Sequence, residues 1–212
     1  MAQLSKFGVP GGSMQQIMPK LGNRFRVMFL GFAGQTVSAL GTLTSQITNV
    51  DRPSQSTPTN EVHVYNSIIK LAGKPTWGDI NMSIRDDISN TVSSVVAAQM
   101  GRQMDSAGQS SATAGTNYKF GMVIQTLDGA NDSVQVIDTW SLAGCWISSV
   151  KSSGLDYSKT DPVTIDLTIV YDNADYHIGD MPESSLPGLL GDLGGGPALR
   201  ALSAGDTATT PI

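Results

Sequence analysis

Alternation constrains this chain more than any other feature. Val163, Ile165, Leu167, Ile169 and Tyr171 take turns with Thr164, Asp166, Thr168, Val170 and Asp172. Successive side chains point to opposite faces only in an extended strand, so the run predicts a strand with one buried and one polar face. The same period recurs in Phe25, Val27 and Phe29, in Ile80, Met82 and Ile84, and in Tyr118, Phe120, Met122 and Ile124. Val62, Val64, Asn66 and Ile68 read as one further strand, against His63, Tyr65, Ser67 and Ile69. Trp140, Leu142, Trp146 and Val150 belong to a longer strand or bent pair interrupted by Gly144. Turn residues separate these runs at Gly73-Lys74-Pro75, at Asp128-Gly129-Ala130-Asn131-Asp132 and at Ser152-Ser153-Gly154.

One segment departs from period two. Over residues 89–104 the apolar Val92, Val95, Val96, Met100 and Met104 recur at three- and four-residue steps, which predicts one face of a helix. Asp87 or Ser89 supplies an N-cap oxygen, and Gly108 is placed to help end the segment. The chain is therefore mainly β: two packed antiparallel sheets, as a sandwich or barrel, with one flanking α-helix and extended N- and C-terminal arms. The β domain spans residues 23–178. Residues 1–22 form an N-terminal arm rich in Gly and Gln, and residues 179–212 a C-terminal extension, an arm or a flexible tail, in which Leu186, Leu189 and Leu190 are the expected docking residues. Residues 50–60, with Pro53 and Pro58, form a long polar connection of the kind that is functional or disordered.

Composition matters mainly for what it excludes. With 40% hydrophobic and 15% charged residues, the 212-residue chain is too apolar for wholesale disorder. A single cysteine and two histidines leave neither a disulfide framework nor a multi-histidine or cysteine-rich metal centre. No run approaches a membrane span, and the start has no apolar signal-peptide region, so assembly in a cytoplasm is expected. Residues 1–120 carry a net +4 and residues 121–212 a net −9, for a total of −5. That balance does not suit a nucleic-acid coat, but it lets a basic surface of one copy meet an acidic surface of another.

No chemistry is legible. Gly11-Gly12-Ser13-Met14-Gln15 lacks the closing glycine of a nucleophile elbow, and Gly191-Asp192-Leu193-Gly194-Gly195-Gly196 has no Lys-Ser/Thr after it to hold a phosphate. Asp172-Asn173-Ala174-Asp175-Tyr176-His177 lacks calcium-loop spacing and reads as an Asx-rich strand exit. Asp86 and Asp87 serve best as helix caps, Cys145 as a small buried side chain, and Trp77, Trp140 and Trp146 as core. The reading is of a protein with no catalytic residues, no cofactor and no metal.

An ordered series of short motifs then becomes recognisable. It begins with Asn23-Arg24-Phe25-Arg26-Val27, Gln46-Ile47-Thr48-Asn49-Val50-Asp51-Arg52-Pro53-Ser54 and Val62-His63-Val64-Tyr65-Asn66-Ser67. It continues with Lys74-Pro75-Thr76-Trp77, Ile84-Arg85-Asp86-Asp87 and Ile124-Gln125-Thr126-Leu127-Asp128-Gly129. Trp140-Ser141-Leu142-Ala143-Gly144-Cys145-Trp146, Leu155-Asp156-Tyr157-Ser158 and Tyr171-Asp172-Asn173-Ala174 complete it. Over residues 23–174 the chain resembles the tail tube protein of contractile-tailed bacteriophages.

The resemblance implies a structural subunit of a virion tail tube. Homohexameric rings stack into a hollow tube, with a contractile sheath outside, tape-measure protein and passing DNA in the lumen, and a baseplate and a tail terminator at the ends. It also implies that the sheets of six copies join into one inner barrel. Acidic residues are expected to outnumber basic ones on the lumen face, because repulsion lets DNA slide. Contacts between rings are expected from Val50, Asp51, Arg52, Pro53, Ser54, Gln55 and Thr57. The alternatives are a non-extending ring protein of the same kind (tube initiator, terminator or secretion-type tube) and a monomeric carbohydrate-binding sandwich. The resemblance stops near residue 175, so the C-terminal extension is particular to this chain.

Overall fold

A computed structural model describes residues 20–35, 40–111, 118–129, 134–158 and 160–181. In chain order it contains β1 (Phe25–Leu30), α1 (Gly41–Ser45), β2 (Ile47–Val50), β3 (Gln55–Ser56), β4 (Thr59–Val64), β5 (Ser67–Ala72), β6 (Thr76–Trp77) and β7 (Ile80–Arg85). There follow α2 (Thr91–Gln103), β8 (Met104–Asp105), β9 (Ser110–Ser111), β10 (Phe120–Leu127), β11 (Val136–Ser152), β12 (Thr164–Val170) and β13 (Asn173–Ile178). The fold is β-rich and antiparallel, with α2 as its one substantial helix among the described residues.

The architecture turns on β11, which is 17 residues long and belongs to two sheets. Its first half lies between β10 and β13, and β10 pairs β1 on its far side, giving a four-stranded sheet β1-β10-β11-β13. Its second half pairs β12, which leads through β7 to β2. The strand changes sheets at Gly144. Met122 faces Leu142 while Phe120 faces Cys145, so β11 carries an extra residue there, a bulge that bends the strand. Gly144 has φ +69°, and a Cβ on it would collide with the carboxylate of Asp172, reaching Cγ at 2.7 Å. Only glycine meets both demands without strain. The bent strand inferred around Gly144 is thus a single strand.

The inner faces of the sheets close on one core. Val27 and Phe29 of β1, Met122 and Ile124 of β10, and Leu142 of β11 meet Ile80, Met82 and Ile84 of β7 and Ile165, Leu167 and Ile169 of β12. These are the alternating positions of the sequence. Phe29, Phe32 and Phe120 add a ring cluster with centroids 4.7–6.2 Å apart. Burial of about a dozen such side chains, each worth roughly 1.5–3 kcal/mol, is the main favourable term for the fold.

Helix α2 lies on this core through Val92 and Val96, with Val95 and Met100 half-buried beside them. Glutamines do what the apolar pattern did not announce. Gln99, fully buried, accepts from the Ala33 N–H at 2.7 Å and donates to the Tyr118 carbonyl at 2.6 Å. Gln103 bonds both the N–H (3.1 Å) and the carbonyl (2.8 Å) of Ile147, capping backbone beside a second bulge in β11. The acids preceding the helix cap it: Asp87 Oδ1 accepts from the Thr91 N–H at 2.7 Å, and Asp86 accepts from both the Ser93 N–H and its hydroxyl.

Three sequence expectations need correction. The helix ends at Gln103, so Met104 starts a short β8–β9 hairpin and is half exposed, and Gly108 sits in the turn of that hairpin. The run from Val62 to Ile69 is not one strand: it folds back at Tyr65-Asn66, with Tyr65 at φ +49°. The Asx-rich stretch after Tyr171 is a true strand, β13, paired along the edge of β11.

Candidate assembly interface

The β4–β5 hairpin stands away from the body. Every residue of both strands is exposed, and its pairing sorts them into two faces. Val62 faces Ile69, Asn60 faces Leu71 and Val64 faces Ser67 on one side, while Glu61 faces Lys70 and His63 faces Ile68 on the other. The first face is apolar, yet Ile69 and Leu71 remain 49% and 53% exposed and Tyr65 at the tip 99%. A two-stranded ribbon is marginal alone, and covering the remaining half of Val62, Val64, Ile69 and Leu71 is worth about 3–6 kcal/mol. Such a face is built for a partner.

The residues expected to contact a neighbour form the foot of this hairpin. Val50 pairs Met82 and packs on the core. Asp51 accepts from the Asn81 backbone N–H (3.3 Å) and side-chain amide (3.0 Å). Arg52 donates to Thr126 Oγ1 at 3.1 Å. Pro53 follows in the same short loop, half-buried. The Ser54 carbonyl accepts from the Gly78 N–H, Gln55 pairs Trp77 in the two-residue β3–β6 ladder, and Thr57 is exposed beyond it. These residues hold the hairpin, and residues 59–72 project. The sequence missed this because the alternation continues in step through a turn that has neither glycine nor proline.

Beside the foot, Asp138 is almost fully buried, with Lys20 Nζ 2.6 Å from its Oδ2. Burial pushes this carboxyl up, but hydrogen bonds from Lys20 and Thr126, with the Lys20 and Arg52 charges, outweigh it and leave it below the usual carboxylate range. The group ties the segment before β1, the hairpin foot and the four-stranded sheet together.

The far end of the second sheet carries a different surface. Thr164 pairs Arg85 and Ser152 pairs Ile165, which places the β11–β12 loop at the end of β7 opposite Ile80, where the hairpin is rooted. An open groove of about 880 Å³ there is lined by Gly154, Leu155, Asp156, Tyr157, Asp161 and Pro162. Leu155 and Tyr157 stand in solvent, as does Ile88 in the adjoining turn before α2. The chain thus has an apolar projection at one end and apolar side chains around an acidic groove at the other.

The four-stranded sheet offers two open edges. Among the described residues β1 pairs only β10, and β13 pairs only β11. Strand directions alternate across the sheet, so β13 of one copy lies antiparallel to β1 of the next when the two are placed side by side. Trp77 and Trp140 pack against the core, with centroids 5.8 Å from Tyr171 and 4.8 Å from Tyr176, and Trp146 is half-buried; no tryptophan platform is exposed. Cys145 is buried, and desolvation pushes its thiol up to about 12. Leu186, Leu189 and Leu190 lie outside the described residues.

This arrangement is the fold of subunits from contractile injection systems. A chain of the extracellular contractile injection system PVC, in the sheath–tube complex in its extended state, superposes with a TM-score of 0.57 at 16% identity, over 79% of this chain and 99% of its own. A chain of the anti-feeding prophage cap, described as a tube-terminating cap, gives 0.57 at 14% identity over 84% and 99%. A chain of the anti-feeding prophage baseplate gives 0.54 at 14% identity over 76% and 96%. No protein-family model matches the sequence, and no curated protein matches it.

Proposed function

We propose that the chain is a structural subunit of the inner tube of a contractile phage tail. Copies join into hexameric rings, rings stack into a hollow tube, and the tube, sheathed outside and bounded by baseplate and terminator, conducts DNA from the virion. The observation that carries this reading is the four-stranded sheet with both edges open in compatible directions. Long open edges invite uncontrolled pairing, and closure of a ring removes them all. The number six comes from the sequence resemblance, and the shared fold with contractile injection system chains supports the same class.

Stacking follows from the two ends. The apolar face of one copy's hairpin docks on the end that carries Leu155, Tyr157 and Ile88 in the next ring. The residues expected in the inter-ring contact, Val50 to Gln55 with Thr57, then position the hairpin instead of forming the centre of the contact. With the face of the four-stranded sheet that points away from the core turned inward, the lumen carries Arg26, Asp175 and Asp180 among Gln125, Thr139 and Ser141.

Because the cap and baseplate chains share the fold as closely as the sheath–tube chain does, a non-extending ring protein is the second reading. Negative-stain electron microscopy of the chain expressed alone and with a baseplate template separates them. Tubes support the first reading, and rings that stay single under both conditions support the second. Monomer under both conditions overturns both. Replacing residues 59–72 with a tight turn should leave folded rings that no longer stack; tubes of normal length would refute the hairpin contact.

A further inference from the structure

The two open edges of the four-stranded sheet are not alike. β1 and the residues leading into it carry Lys20, Arg24 and Arg26, with no acid between residues 20 and 30. β13 and its flanks carry Asp172, Asp175 and Asp180, with no lysine or arginine between residues 171 and 180. Two of these charges are used within the chain: Lys20 pairs Asp138 and Asp172 pairs Lys119, each at 2.6 Å. The other four have no such partner among the described residues. Arg24 donates to the Asp128 carbonyl, and Arg26 to Gln125 Oε1 at 2.5 and 3.0 Å, so both guanidinium groups rest on uncharged acceptors and keep donors to spare. Asp180 accepts from the amides of Gln125 and Met181, while Asp175 accepts from the Tyr176 N–H and meets the His177 ring at 2.9 Å. Neither aspartate faces a lysine or an arginine.

The register sets these groups level with one another. Arg26, Gln125, Thr139 and His177 form one row across the face that points away from the core. When β13 of one copy lies antiparallel to β1 of the next without stagger, Arg26 comes opposite the neighbour's end of that row. Asp175 is then two residues along in one direction and Asp180 three in the other. A two-residue step is about 7 Å, a diagonal that a long side chain spans, and a stagger of two residues puts Asp175 directly opposite. The other face of the same edges is apolar: Ile178 is 87% exposed and Tyr176 44%, and Phe25 is half-buried on β1. Each edge therefore offers the other an apolar side and a charge of opposite sign.

Hydrogen-bond geometry alone does not choose between partners. A two-fold axis makes any strand antiparallel to its own copy, so β1 against β1 and β13 against β13 are open to the backbone as well. Charge decides among the three. The first self-pairing sets arginine against arginine and the second aspartate against aspartate, and like charges facing each other across a ladder destabilise it. We infer that the charges on β1 and β13 select head-to-tail joining: Arg24 and Arg26 of one copy recognise Asp175 and Asp180 of the next, and repulsion excludes the two self-paired dimers that would end growth before a ring closes. This rests on the ring reading above and adds the rule by which an edge chooses its partner.

Charge reversal tests it. One full-length chain carries Arg24→Glu and Arg26→Glu, a second carries Asp175→Lys and Asp180→Lys, and a third carries all four changes. Each is followed by sedimentation velocity and native mass spectrometry under the conditions in which the parent assembles, with a baseplate template where the parent needs one. The first two should stay monomeric alone, needing about tenfold or more protein to associate. Mixed in equal amounts they should form rings in which the two chains alternate, and the third chain should assemble by itself. The defect of the first two should shrink in high salt. Circular dichroism and thermal melts check folding, and the single changes Arg26→Glu and Asp175→Lys replace any chain that does not fold. A reversed chain that assembles alone as readily as the parent, or a mixture that stays monomeric, would overturn the inference and leave the ring reading standing. A parent that stays monomeric with and without the template would instead remove the ring reading, and this inference with it.

Discussion

Replacing Gly144 with alanine tests the bend on which both sheets depend. At φ +69° an L-residue costs about 1–2 kcal/mol net, the left-handed strain outweighing the smaller gain that Gly→Ala makes by lowering the entropy of the unfolded chain. The new Cβ also collides with the Asp172 carboxylate, but that side chain is 59% exposed and has room to swing away. Swinging away breaks its 2.6 Å ion pair with Lys119, an exposed contact worth about 0–1 kcal/mol. The sum is a loss of about 1–3 kcal/mol, read as a fall of roughly 2–10 °C in Tm for a domain of this size. Urea denaturation of Gly144→Ala, Asp172→Ala and the double variant separates the parts. The alanine should still cost about 1 kcal/mol when Asp172 is gone, since the backbone strain remains. A Gly144→Ala chain as stable as the parent would refute the left-handed bend. A cost that disappears entirely in the Asp172→Ala background would place it all in the collision and none in the backbone.

Two further outcomes concern buried polar groups. Gln99→Leu strands the Ala33 N–H and the Tyr118 carbonyl and should cost about 2–4 kcal/mol by denaturant titration, whereas an unchanged midpoint would mean that water replaces the amide. Asp138→Asn should destabilise at neutral pH. The native carboxyl lies below its unfolded value of about 3.9, so its contribution is complete above that pH and is lost as pH falls through the native value. The gap between parent and variant should therefore close below about pH 4, and a constant gap from pH 7 to pH 3 would show that the charge does not matter.

What was legible in the sequence is what a one-sided hydrophobic face imposes. β7, β12, β1 and the odd-even pattern of β10 could be read because every second residue meets the core. Helix α2 could be read from Val92 and Val96, but its end could not, since Met104 continues the apolar rhythm into a strand. β13 escaped because its outward positions are Asn173, Asp175 and His177 and it shelters mainly Ala174 within the sheet, so polarity masked pairing. The hairpin escaped for the opposite reason: its alternation is clean, but it answers to no surface among the described residues.

β11 also has a mechanical meaning. One continuous backbone runs from the first sheet into the second, so the two cannot slide apart without breaking ladder hydrogen bonds along β11. Load applied along it is shared at once by the ladders to β10, β13 and β12, and their hydrogen bonds resist together in shear instead of opening one after another. Gly144, in the left-handed region, is the joint at which this beam passes from one sheet to the other.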